Sequence, residues 1–202
     1  MTPRIPLRRR LTPARRFLRE EAGAGLVEYA LVILLFLTLL FGIIDFGRLG
    51  FAVVSANKAN QIAARIAAVR PPACEGNFGR YARGTDTTAT FGTLCRAGTG
   101  ICNQRSEVTC LGRADDPTAA EVFAAVRPLM PPNTGIDDIR FRYTPDPNLG
   151  FLGGPYVPMV TVEFAEVDFN FVVPLWGNAL NITLPNMSVS LPGEDLAQGM
   201  GN

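Results

Sequence analysis

The chain has 202 residues, four cysteines and no histidine, a length that suits one domain with an appendage and a composition that removes imidazole from any catalytic or metal-binding scheme. Its net charge of +1 hides an asymmetry. Residues 1–23 hold seven arginines against Glu20 and Glu21, a net +5, whereas the remainder holds 12 basic and 16 acidic side chains, a net −4. An acidic body of this kind excludes the electrostatic footprint of a nucleic-acid partner.

Arg4, Arg8, Arg9, Arg10, Arg15, Arg16 and Arg19 form a basic leader ahead of the small residues Gly23, Ala24 and Gly25. An almost unbroken apolar run to Ile44 follows. By the positive-inside rule the leader stays in the cytoplasm and everything beyond the run lies outside it, which predicts a single-pass membrane protein with its C-terminal domain outside the cytoplasm. As a helix, residues 24–45 would span roughly 33 Å, close to the roughly 30 Å hydrocarbon core. Glu28 lies just inside this span. A carboxylate costs about 2.5–3.5 kcal/mol at the centre of a membrane helix and less near its end, so Glu28 is a candidate functional residue; an end-of-helix acid reaching headgroups or water is the plainer reading.

The helix is predicted to continue without a break to about Val69, about 46 residues in all and roughly 69 Å long, until Pro71-Pro72 ends it. In the second half, 46–72, Ala52, Ser55, Ala56, Ala59, Ile62, Ala63, Ile66 and Val69 fall on one side. Asn57, Lys58, Asn60, Gln61 and Arg65 fall on the other. The first half therefore meets lipid, and the second packs on something in water. The small-residue stripe Ala52, Ala56, Ala59, Ala63 and Ile66 suits either the domain's own core or a neighbouring helix. Asp45 and Arg48, three apart at the outer membrane boundary, are placed to pair on the helix surface; interfacial solvation also accounts for them.

Residues 73–113 are rich in Gly, Thr and Arg and carry Cys74, Cys95, Cys102 and Cys110, which predicts an irregular, disulfide-stapled loop in an oxidising compartment. The spacings do not match the paired C-x2-C pattern of a zinc site. Three pairings are possible; Cys95–Cys102 nested within Cys74–Cys110 is the expected one. Asp115-Asp116-Pro117 supplies a cap and a proline start for a short helix through about Val126.

The last seventy residues alternate as strands. Ile139, Phe141 and Tyr143 form one set and Val160, Val162 and Phe164 another, and the phase then shifts to Val167, Phe169, Phe171 and Val173, which predicts a bulge near Ala165-Glu166. Trp176-Gly177-Asn178 is a predicted turn. Leu180 to Leu191 is a predicted final strand kinked at Pro185, followed by a frayed tail after Leu196. Three antiparallel strands with one apolar face need a cover, and the amphipathic half of the long helix supplies it. The predicted fold is α+β, a long N-terminal helix on a small antiparallel sheet that resembles the type IV pilin architecture, with residues 73–202 as the extracytoplasmic domain.

The segment Gly23-Ala24-Gly25-Leu26-Val27-Glu28-Tyr29, together with Gly42-Ile43-Ile44-Asp45-Phe46-Gly47-Arg48, resembles the N-terminal region of TadE/TadF-like minor pseudopilins of the tight-adherence (Tad, Flp-type) branch of type IV pili. The resemblance covers about half the chain; residues of about 73–135 match nothing recognisable. It implies cleavage by a prepilin peptidase between Gly23 and Ala24, leaving Glu28 as the fifth residue and Tyr29 as the sixth. A mature chain beginning with Ala departs from ordinary type IV pilins, which begin with Phe or Met, and fits the Tad branch. The length is too great for a Flp major pilin. Implied partners are the membrane, the prepilin peptidase, a Flp-type major pilin, a sister pseudopilin, and the Tad membrane platform with its ATPase. Glu28 would offset the new amino terminus at Ala24, in its own chain or in a neighbour.

Other readings remain beside this one. The chain is otherwise an uncleaved membrane protein with a periplasmic ligand- or partner-binding domain, or carries an adhesive loop at a pilus tip. A conventional signal peptide cut after Val54-Ser55-Ala56 fits poorly, because the apolar run is too long and the site too distant. Arg15-Arg16-Phe17-Leu18 is a weak match to a twin-arginine signal. No enzyme motif and no cofactor site is predicted: there is no G-x-S-x-G, phosphate-cradling loop or calcium loop. Asp115/Asp116 and Asp137/Asp138 suit a helix start and a turn.

Overall fold

A single helix, α1 (Ala24–Val69), runs through 46 residues in the computed structural model, which describes residues 23–164, 168–171, 181–183, 186–194 and 196. Its end is dictated by Pro71: the preceding Arg70 is forced out of the helical region to φ −112° and ψ 161°. The apolar first half buries none of its most hydrophobic window against the rest of the chain. The second half is covered by protein.

The covering layer is an antiparallel sheet. Among the described residues its strands are β1 (Val108–Leu111), β2 (Ile139–Thr144), β3 (Met159–Phe164) and β6 (Met187–Pro192), in the order β1-β2-β3-β6. The register sets apolar rows across it: Cys110, Phe141, Val162 and Val189 in one, Val108, Tyr143, Val160 and Leu191 in another. Ile139, Phe141, Tyr143, Val160 and Val162 are fully buried beneath α1 and α2 (Pro117–Val126). The alternate residues face solvent, where Glu163 pairs with Arg142 at 3.3 Å and with Arg140 at 3.6 Å. This is the period-2 division expected of a sheet buried on one side. A second, two-stranded sheet pairs β4 (Asp168–Asn170) with β5 (Asn181–Thr183).

Helix α2 starts as its sequence predicts. The Asp116 carboxylate accepts a 2.7 Å hydrogen bond from the Ala119 N–H, and Pro117 occupies the first turn. The disulfides are Cys74–Cys110 and Cys95–Cys102, the nested pairing. The first ties the chain just after α1 to edge strand β1. Between them the loop is organised by Arg105, whose guanidinium donates to the carbonyls of Asn77, Gly79 and Arg80 and stacks over Tyr156 at 4.5 Å. Gly150 has φ +80°, and a Cβ there would come within 2.2 Å of the Tyr81 ring, so the close packing of this loop requires glycine.

Four expectations need correction. Residues 108–111, assigned to the irregular loop, form β1, because Val108 and Cys110 complete the apolar rows of β2. The expected three-stranded sheet has a fourth strand, and a second small sheet accompanies it. The expected single last strand is two: Asn181–Thr183 joins β4, whereas Met187–Pro192 joins β3. A proline in this sequence has no N–H with which to continue a ladder. Finally, the buried face of α1 includes Asn60, Ala64, Ala67 and Ala68, and Val69 is 45% exposed. Asn60 was assigned outward by polarity alone, but it sits four residues from both Ala56 and Ala64, at the centre of the packed face. The proposed bulge at Ala165-Glu166, Val167, Val173, the Trp176-Gly177-Asn178 turn, the kink at Pro185 and the tail beyond Leu196 lie outside the described residues.

Candidate functional site

Gly23 occupies the N-cap position of α1, and Ala24 is its first helical residue. Glu28 and Tyr29 follow on the next turn, both exposed on the isolated chain. Ala24 and Glu28 are four apart, so they share one helix face about 6 Å apart along the axis. Nothing in the described chain covers this face, so Glu28 is presented outward.

The second cluster lies at the far end of the apolar half. Asp45 is 2% exposed and receives a 2.8 Å ion pair from the Arg48 Nη1, one turn further on. Arg48 also lies over the Phe169 ring at 5.4 Å, and Phe46 meets Phe171 edge-on at 6.4 Å. Sequence spacing gave the Asp45–Arg48 pair, though not the burial of its acid. Solvation at the interface does not account for a carboxylate placed in this way; the packing of the strand region against α1 does. The aromatic partners were not foreseeable, because β4 is more than 120 residues away in the chain.

Beside this cluster a groove of about 640 Å³ opens between α1 and the proline-rich segment 128–132, with Arg48, Phe51, Pro131 and Phe169 in its walls. The four cysteines are distant from both N-terminal clusters in function as well as sequence, since all are consumed in the two staples. Of the small-residue stripe, Ala56, Ala59 and Ala63 are buried in the domain's own core. Ser55 and Ala56, which the signal-peptide reading would place at a cut, are buried mid-helix. Among the described residues no three His, Cys, Asp or Glu side chains gather as a metal-binding group.

Neither curated proteins nor solved structures yield a match to the chain. A family model does: the one described as TadE-like protein matches residues 23–65, from the N-cap of α1 to the part of the helix buried against the sheet. That match opens on Gly23 and takes in Glu28, Tyr29, Asp45 and Arg48, so over this segment the chain is similar to TadE-like proteins, a family associated with the Tad pilus.

Proposed function

We propose that this protein is a minor pseudopilin of a Tad (Flp-type) pilus, made with a leader over residues 1–23 and processed by a prepilin peptidase after Gly23. In this reading residues 24–45 hold the mature chain in the inner membrane. The domain beyond α1 stands in the periplasm and enters the pilus base or tip during assembly. The reading is supported above all by α1: one uninterrupted helix, bare and apolar in its first half, packed on a sheet in its second, with the TadE-like match opening at Gly23. Cleavage would place a cationic amino terminus at Ala24, one turn from Glu28. In lipid neither charge is tolerable alone, and pairing them, within the chain or with a neighbour, offsets much of the desolvation cost. The role is structural, and its partners are the peptidase, a Flp-type pilin, a sister pseudopilin and the membrane platform.

The deciding experiment is the intact mass and N-terminal sequence of the membrane-extracted protein, from cells with and without the prepilin peptidase. A chain that begins at Ala24 only when the peptidase is present supports the proposal. A chain that keeps its leader in both would make it an uncleaved membrane protein with a periplasmic binding domain. A start at Asn57 would make it a secreted soluble one.

A further inference from the structure

Four contacts between α1 and the last part of the chain fix how deep each strand lies relative to the membrane. The Glu194 N–H donates to the Ala68 carbonyl, and Asn60 donates to the Met187 carbonyl. Phe169 lies under Arg48, and Phe171 meets Phe46. Phe164 is opposite Met187, so the end of β3 also lies at the Asn60 level. At 1.5 Å per residue from Ala24, these levels are about 66, 54, 36 and 33 Å. The chain thus descends along α1 from β3 through β4 toward the membrane, and β5, with Ile182 opposite Phe169, returns beside it.

A bilayer has a hydrocarbon core of about 30 Å and a total thickness of about 40–45 Å, which leaves a headgroup layer of roughly 5–8 Å on each side. Levels of 33–36 Å fall inside that layer. We propose that the β4–β5 pair is a membrane foot, seated in the headgroup layer of the bilayer that α1 crosses. This rests on the membrane reading of α1.

The surface chemistry at this level agrees. Ile182 is 39% exposed, and at the same level of α1 Phe46 is 69% exposed. Arg48, although its Nη1 is ion-paired with Asp45, has nearly half of its side chain exposed at phosphate depth. The occupant of this surface is therefore phospholipid. Such a second contact would fix the tilt of the domain on its helix, which a single helix crossing cannot do.

The test uses the full chain in phosphatidylethanolamine–phosphatidylglycerol vesicles, with single thiols introduced for a fluorescent label. Because the native cysteines are all in disulfides, only the added thiol reacts. Ile182→Cys marks the foot, Leu34→Cys the middle of the span, and Ser190→Cys the sheet well above it. Asn170→Cys on the paired strand repeats the foot measurement should Ile182→Cys disturb packing. The expected result is that a nitroxide on the lipid headgroup removes most of the emission at the foot and little at Ser190, while an acyl-chain nitroxide quenches at Leu34. Foot labels that behave like Ser190 while Leu34 is quenched would overturn the foot and leave the membrane helix standing, with that face then covered by another subunit. Absence of quenching at Leu34 would remove the membrane reading and the foot with it.

Discussion

Asn60 of α1 donates its side-chain amide to the backbone carbonyl of Met187, the first residue of β6 and 127 positions away in sequence. This bond fastens the fully buried centre of the helix face to the end of the sheet edge, and it fixes the height at which the sheet sits on α1.

Replacement of Asn60 by Ala leaves the partly buried Met187 carbonyl without that donor. The expected loss is about 0.5–1.5 kcal/mol, read as a lowered urea midpoint of the detergent-solubilised chain. An unchanged midpoint would show that the bond contributes nothing to the clamp.

The two disulfides are expected to differ in worth. Cys74–Cys110 closes a separation of 36 residues and Cys95–Cys102 one of 7. Loop-closure entropy gives about 4 kcal/mol for the first and about 2 kcal/mol for the second. Paired Cys→Ser variants, compared by denaturant unfolding, should rank in that order. The reverse order would locate the main constraint in the short loop around Arg105.

Tyr143 is fully buried and its hydroxyl accepts a 2.9 Å hydrogen bond from the Ala73 N–H. Burial, the dominant cause, pushes its pKa up to about 12. An unfolded chain releases this proton near pH 10 whereas the folded chain keeps it, so the stabilisation is whole below pH 10 and lost as pH rises toward 12. The loss across that window is on the order of 3 kcal/mol. Tyr156, also pushed up to about 12 mainly by burial, acts in the same direction. In Tyr143→Phe the alkaline decline should be shallower than in the parent, although stability at neutral pH falls by about 1 kcal/mol because the Ala73 N–H loses its acceptor. Equal declines in the two proteins would assign the alkaline sensitivity elsewhere.

Glu28→Ala removes a carboxylate that touches nothing within the described chain, so the fold beyond the span should be unaffected. The variant should still fractionate with membranes and keep both disulfides, yet enter pili poorly. Normal piliation would show that Glu28 has no part in assembly.

The long helix was legible in the sequence, from Ala24 to about Val69, because each of its signals is local. An uncharged apolar run, the absence of proline and the Pro71-Pro72 stop act within a few residues of where they stand. The same holds for the Asp116 cap of α2 and the alternation in β2 and β3. Gly23, Glu28 and Tyr29 likewise lie within two turns of one element, so their spacing is local; their part in processing and assembly is a proposal.

What only the tertiary structure decided depended on distant partners. Asn60 is polar and was turned outward by pattern, yet it is buried: a carbonyl 127 residues away receives its amide N–H, while its Oδ1 is buried without a partner among the described residues. Val108 and Cys110 have too short an apolar run to declare a strand until Tyr143 and Phe141 stand opposite them. Asp45 and Arg48 could be paired from spacing, but the burial of the acid and the aromatic cover from Phe169 and Phe171 require β4 to come down beside the helix. Local propensity specifies which segments are helix or strand; the free energy of burying polar groups is settled only by the neighbour that receives them.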